Sequence, residues 1–131
     1  MRVFLNTNVL VAAFGTRGLC EDVLRTTLSE HDLIIGTQVH AEAERVLADE
    51  LRMPASKARS IPAFIRQHAE VIEPSAPAAL PGKDPDDQCI VAAATEGHAD
   101  VLVSGDQDLL EIADRVKIDI LSPRGFWEAL R

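Results

Sequence analysis

Cysteine is scarce in this chain, and the two that it has, Cys20 and Cys89, follow no metal-binding spacing. The four histidines form no HExxH motif or similar pair. No window approaches the roughly 20 apolar residues of a membrane span, and the first apolar run is too short for a signal peptide. We therefore expect a cytoplasmic protein with free thiols, no zinc site and no membrane association.

Positive charge is also scarce. The chain has 13 Lys and Arg against 21 Asp and Glu, which gives a net charge of −8 and a pI near 4.9. This balance argues against a broad electrostatic grip on nucleic acid, for which a pI above about 9 is typical. An acidic body does suit a basic protein partner. This balance does not exclude a local surface that binds nucleic acid, because five bases lie between residues 45 and 66, namely Arg45, Arg52, Lys57, Arg59 and Arg66.

The apolar residues are numerous enough for a packed core, at 47% of the 131 residues with a mean hydropathy of +0.03. A chain of this length forms one domain, here residues 1–131. Strand-like runs apolar on both faces occur at Arg2–Leu5, Leu33–Gly36, Val71–Glu73, Val101–Ser104 and Ile118–Leu121. Helix-like segments separate them, at Thr7–Phe14, Leu19–Glu30, Thr37–Arg52, Ala55–His68, Pro85–Glu96, Gln107–Asp114 and Pro123–Leu130. This alternation predicts an α/β three-layer sandwich, in which helices flank a central parallel sheet of about five strands.

Capping signals support these helix boundaries. Thr37 is a candidate N-cap, Asp84 and Ser122 each precede a proline at the first helical position, and Gly97 can end a helix. The segment 75–85, rich in Pro, Ala and Gly, is predicted to be a loop that covers the sheet edge or borders the site.

Polar side chains follow two of the predicted strands. Asn6 ends the first strand, and Ser104 and Asp106 end the fourth. In open parallel α/β sheets the ligand crevice lies outside the carboxyl ends of the strands, so these side chains are expected to meet there.

Two helical acids point to the same region. Asp87 shares a helix face with Ile90, Val91 and Ala94, and a carboxylate on an apolar face is costly unless it is paired or binds a cation. Glu42 lies on the flank of the apolar stripe of its helix.

A plainer interpretation exists for each acid. Asp87 can help Asp84 to cap its helix, Glu42 can be solvated, and Asp106 and Asp108 suit the first turn of a helix because of its dipole. Taken together, carboxylates without His or Cys in such a crevice predict a site for Mg²⁺ or Mn²⁺. Cations of this kind activate water and neutralise phosphoryl charge, which suggests phosphoester chemistry.

At this point the motifs resemble a known family. LNTNVL resembles the D-T-N strand end of PIN-domain ribonucleases, and QVHAEAERVL resembles the segment that carries their helical glutamate. DPDDQCIVAAA resembles the segment of their central aspartate, and ADVLVSGDQDLL resembles their TxD strand end. ILSPRGFWEAL resembles the end of the VapC-like subfamily, the toxins of bacterial toxin–antitoxin pairs.

The resemblance implies a PIN-like fold and Mg²⁺- or Mn²⁺-dependent RNA cleavage. It also implies a homodimer and inhibition by a cognate antitoxin whose tail enters the active site. The catalytic and metal-binding positions would be Asn6, Glu42, Asp87 and Asp106. Supporting groups would be Thr7, Asn8 and Ser104, with Asp108 as a possible further ligand. Arg52, Lys57 and Arg59 are our candidates for RNA binding, with Arg17 and Lys83 as the alternative path.

Asn6 departs from the family, which has aspartate at this position. An amide offers one neutral oxygen and no bidentate carboxylate, so the resemblance implies an impaired or inactivated enzyme. Because the other acidic positions are intact, a deliberate or recent Asp→Asn change is favoured. A PIN-like module that binds RNA or a partner without cutting is the alternative.

A haloacid-dehalogenase-like phosphatase is a third hypothesis, based on the strand-end position and the sequence GDQDLL. It is disfavoured, because its chemistry needs a nucleophilic carboxylate at residue 6 and an acid at residue 8, where this chain has Asn6 and Asn8.

Overall fold

The computed structural model describes residues 1–15, 18–80 and 83–130, and it contains a five-stranded parallel sheet with the order β3-β2-β1-β4-β5. The strands are β1 (Arg2–Leu5), β2 (Asp32–Gly36), β3 (Ala69–Ile72), β4 (Val101–Val103) and β5 (Asp119–Leu121). β1 is central, and in its register Val3 is paired with Leu33 on one side and with Val101 on the other.

Helices connect the strands. They are α1 (Thr7–Gly15), α2 (Leu19–Glu30), α3 (Thr37–Asp49), α4 (Ala55–His68), α5 (Pro85–Glu96), α6 (Gln107–Leu110) and α7 (Pro123–Ala129), with a 3₁₀ turn at Ala113–Arg115. Within the described ranges, no helix combines the length and the apolar character needed to cross a membrane.

Both faces of the sheet are covered. Successive side chains of a strand point to opposite faces, and Val3, Phe4 and Leu5 are each 0% exposed. A strand without a solvated face must be apolar throughout, which explains why β1 is a continuous hydrophobic run. The predicted α/β sandwich with about five parallel strands is thereby confirmed.

Three element boundaries differ from the prediction by two residues or more, and several others differ by one. β3 begins at Ala69, two residues early, and α6 ends at Leu110 before the 3₁₀ turn. α3 ends at Asp49 instead of Arg52, because Arg52 adopts a left-handed conformation with φ 53° and the Met53 N–H bonds back to the Leu47 carbonyl.

Two of the three predicted N-caps are confirmed. The Asp84 side chain accepts a hydrogen bond from the Asp86 N–H at 2.8 Å, and Ser122 Oγ accepts one from the Gly125 N–H at 3.0 Å. Thr37 was wrongly assigned, since it is the first residue of α3, and Gly36 occupies the N-cap position without a side-chain bond.

The segment before α5 lies in part against that helix. Leu80 is buried, the Ala78 N–H donates to the Gln88 carbonyl, and Gln88 Nε2 donates to the Lys83 carbonyl. These bonds fix the approach to the first turn of α5, which carries the candidate residue Asp87.

The carboxyl end of α5 is fixed by tight packing. A Cβ on Gly97 would lie 2.9 Å from Ile72 Cγ1 and 3.1 Å from the Ala93 carbonyl oxygen, so any other residue would force these neighbours to shift. His98 then takes the left-handed conformation, with φ 55°, and Arg2 donates two hydrogen bonds to the Gly97 carbonyl. A positively charged side chain at this end also suits the helix dipole.

Two adjacent substitutions should change stability in opposite directions. His98→Gly should raise the free energy of unfolding by about 0.5–1 kcal/mol, because glycine adopts positive φ without the steric cost of a Cβ. Gly97→Ala should lower it by about 1–3 kcal/mol, since the added methyl overpacks a contact against the sheet. Urea unfolding of both variants measures the two effects. A stabilised Gly97→Ala would contradict this account.

Candidate active site

A cleft of about 620 Å³ lies at the carboxyl ends of β1 and β4. The structure brings seven of the eight predicted catalytic and supporting residues to its walls. They are Asn6, Thr7, Asn8, Glu42, Asp87, Asp106 and Asp108. Ser104, the eighth, is fully buried and hydrogen-bonded to Asn6.

Asn6 joins the two strand ends. Its Oδ1 accepts the Thr7 N–H at 2.8 Å, and its Nδ2 donates to Ser104 Oγ at 3.1 Å. The backbone N–H fixes the amide orientation, because only the oxygen can accept it. Asn6 is 5% exposed. Because its oxygen accepts the Thr7 N–H, that oxygen is already engaged at the first turn of α1.

Further hydrogen bonds shape the loop after β4. Ser104 Oγ also accepts the Asp106 N–H at 3.0 Å, and Asn8 Oδ1 accepts the Gly105 N–H at 3.2 Å. Asp106 Oδ1 accepts the Asp108 N–H at 2.9 Å and so caps α6. The capping interpretation of Asp106 is thus correct for one of its oxygens, while the residue also lines the cleft.

Asp87 is the least exposed of the described acids that line the cleft. It is 7% exposed on the buried face of α5, and among the described residues its side chain makes no hydrogen bond. Asp84 provides the side-chain cap of this helix. Burial raises the pKa of Asp87 above its ordinary value, and the nearby charges of Asp106, Asp84, Asp108 and Asp86 raise it further.

Glu42 reaches the cleft from α3 and is half-buried. Residues that the sequence motifs did not indicate also line the cleft. They are Arg45, Glu50, Asp84 and Asp86, together with the apolar Val11, Ala12, Val46, Leu51 and Ile90. Arg45 lies three residues after Glu42, about one helical turn away. This spacing is the sequence signal that could have indicated Arg45 as a cleft residue.

The proposed RNA-binding bases lie elsewhere. Arg52, Lys57 and Arg59 are exposed, and none of them lines the cleft. Lys83 is half-buried and does not line it either, and Arg17 falls outside the described residues.

The donor atoms of the cleft suit a divalent cation, but the positions of its side chains do not form a complete metal site. Its acids offer only oxygen donors, the type that Mg²⁺ and Mn²⁺ prefer. Across residues 1–15, 18–80 and 83–130, however, no three acidic, His or Cys side chains are grouped closely enough to hold a metal ion. Side-chain rotation would have to bring the carboxylates together around a cation.

Comparison with known proteins agrees with the fold. No curated protein matches the chain. A chain of the Rickettsia felis VapBC2 structure, bound to a promoter DNA fragment, is similar with a TM-score of 0.65 and 17% identity. The match covers 93% of this chain and 98% of that one.

Two further structures are similar. The first is VapC20 of Mycobacterium tuberculosis, a sarcin-ricin loop cleaving toxin (TM-score 0.57, 17% identity, covering 82% of this chain and 92% of that one). The second is the PIN domain endonuclease Utp24 (TM-score 0.53, 19% identity, covering 92% and 84%). At such identities the likeness shows the fold alone.

The family itself is shown by sequence. A family model described as a PIN domain matches residues 2–108, which include every strand end and acid of the cleft. This match argues against the phosphatase hypothesis. The chain belongs to the PIN domain family.

Proposed function

We propose that this protein is a metal-dependent endoribonuclease whose active site is the acidic cleft. The observation that carries the proposal is Asp87, a residue only 7% exposed whose side chain lines the cleft and forms no hydrogen bond among the described residues. The charges of four other acids, together with burial, raise its pKa. Such a group is costly in a fold that binds no cation and useful in one that does. Membership in the PIN domain family supports the same assignment.

Each residue has a proposed role. Glu42, Asp87 and Asp106 hold Mg²⁺ or Mn²⁺, and Asp108 is a possible additional ligand. The bound cation supplies activation of water and neutralisation of phosphoryl charge. Ser104 and Asn8 position the loop that carries Asp106 through their hydrogen bonds, and Thr7 fixes Asn6 through its backbone N–H.

Asn6 impairs this site in our proposal. Its oxygen accepts the Thr7 N–H, and its Nδ2 presents a donor where the family's aspartate would present a second acceptor oxygen. Ser104 Oγ accepts a hydrogen bond from Asn6 Nδ2. If residue 6 were an ionised aspartate, which has no donor, the Ser104 hydroxyl would have to donate to it instead. The same observation favours the second candidate function, a PIN-like module that binds RNA or a partner without cutting.

The biological role that we propose is that of a cytoplasmic toxin held by a cognate antitoxin. Similarity to the VapBC2 and VapC20 structures supports this role. The cleft suits an inhibitory segment, because acids line part of it and Val11, Val46 and Leu51 line another part. A homodimer remains part of the proposal from family resemblance.

The first prediction for this function concerns metal binding. Asn6→Asp adds a carboxylate at the strand end, so Mg²⁺ or Mn²⁺ should stabilise the variant more than the parent chain. Free ion at about 100 times its Kd should contribute roughly 2.7 kcal/mol. Thermal unfolding with EDTA and with each ion measures the difference. Equal shifts in both proteins would argue against a metal site at this strand end.

The same variant tests activity. Purified Asn6→Asp should cleave RNA with added Mg²⁺ or Mn²⁺, and its expression should arrest bacterial growth, whereas the parent chain should do so weakly or not at all. A variant that binds metal but leaves RNA intact would favour the module without cleavage.

The second prediction separates the ligand role of Asp87 from a capping role. Because its folded pKa is raised, folding stability without metal should fall as the pH rises from about the ordinary value of 3.8, and the decrease should be complete above the raised pKa. Asp87→Asn should remove this decrease and so raise stability at neutral pH. In the Asn6→Asp background it should also lower metal-dependent cleavage at least about 100-fold.

The control is Asp86→Asn, which removes the same charge from an exposed neighbour on α5 and should change both quantities less. If Asp87 only capped its helix, the substitution would instead lower stability by about 0.5–1 kcal/mol and leave cleavage intact.

The third prediction concerns the wider RNA path. We propose that Arg52, Lys57 and Arg59 contact RNA backbone outside the cleft, on the strength of their exposure and clustering. Neutralising all three should weaken RNA binding and lower its salt slope by about 0.7 for each phosphate that the protein no longer neutralises. Fluorescence anisotropy over a range of salt concentrations measures both. An unchanged slope would place the path elsewhere.

A further inference from the structure

The acidic cleft contains a single positively charged side chain among the described residues. Among the described residues, seven acids line it, namely Glu42, Glu50, Asp84, Asp86, Asp87, Asp106 and Asp108, and Arg45 is the only base that does so. Such a surface repels the phosphates of RNA, so a substrate needs specific positive groups to approach it. A metal ion would supply one such group, and Arg45 is the only cationic side chain in the described lining that can supply another.

Arg45 has no ion pair within the described ranges. The pairs found there are Arg2 with Glu70 and Arg25 with Glu21. This is unexpected, because Glu42 and Asp49 lie one turn away on α3, at spacings that allow ion pairs. Arg45 is exposed, and among the described residues it forms no ion pair with an acid of its own helix.

We infer that Arg45 binds a backbone phosphate of the RNA substrate beside Glu42, a proposal that rests on the nuclease function above. A guanidinium presents a planar fork of donors that matches two phosphate oxygens, and charge-assisted hydrogen bonds of this kind are stronger than neutral ones. Side chains three residues apart on a helix lie on the same face. The phosphate therefore lies next to the acids, and its binding does not require Arg52, Lys57 and Arg59, which do not line the cleft.

The experiment uses a fluorescein-labelled single-stranded RNA of mixed sequence and the full chain in the Asn6→Asp background. Arg45→Gln removes the charge and keeps a polar side chain, and Arg45→Lys keeps the charge without the fork. The matched control is Arg66→Gln on α4. Arg66 is exposed and does not line the cleft. It lies three residues before the amino end of β3, whereas the cleft lies at the carboxyl ends of the strands.

Arg45→Gln should weaken RNA binding in EDTA by about 10-fold or more and lower the salt slope by about 0.7. It should raise KM for metal-dependent cleavage more than it lowers kcat, because in this proposal Arg45 holds a backbone phosphate other than the reacting one. Arg45→Lys should keep the salt slope and recover part of the affinity. Arg66→Gln should leave affinity and KM unchanged. Mn²⁺ affinity should stay equal or increase in Arg45→Gln, because a positive charge has left the cleft.

RNA affinity and KM that stay unchanged in Arg45→Gln, while the Asn6→Asp parent binds and cleaves RNA, would overturn this inference and leave the nuclease function standing. Equal decreases in affinity in Arg45→Gln and Arg66→Gln would also overturn it, because they would reflect net charge alone. If the parent neither binds nor cleaves RNA with either ion, the proposed function fails, and this inference fails with it.

Discussion

Repulsion between carboxylates is the constraint on which this cleft depends. Seven acids among the described residues line one crevice, and within the described part of the chain the side chain of Asp87 forms no hydrogen bond. Like charges favour separation, and among the described residues no three ligand-type side chains are grouped for metal binding. The architecture of the sheet edge holds these charges in one crevice, and a positive ligand would offset the cost.

Most of the fold and part of the site could be predicted from the sequence, for local reasons. Apolar runs separated by helical segments indicated the parallel sheet, and parallel strands align their carboxyl ends, which located Asn6 and Asp106 at one edge. The spacing of Asp87 relative to Ile90 and Val91 predicted its buried face. Each of these inferences needs only the residue pattern of individual strands and helices, and none needs a contact between distant side chains.

The remaining features depend on interactions between distant elements. Arg45 lines the cleft because α3 packs against α1, and Arg52 takes positive φ because the chain must turn into α4. Ser104 Oγ accepts hydrogen bonds from both Asn6 and Asp106, an arrangement that a motif cannot reveal. The failed capping role of Thr37 has the same origin, since helix and strand meet there without a connecting residue.

The walls of the cleft are attached to different parts of the structure. Arg2 of β1 holds the far end of α5 through the Gly97 carbonyl, and β1 also leads into Asn6, so Asp87 and Asn6 belong to one tethered unit. The opposite wall, α3, rests partly on a small separate cluster formed by Val11, Ala43, Leu47 and Ala58. The two walls therefore belong in part to different packing units, and a change in the small cluster reaches the cleft through α3.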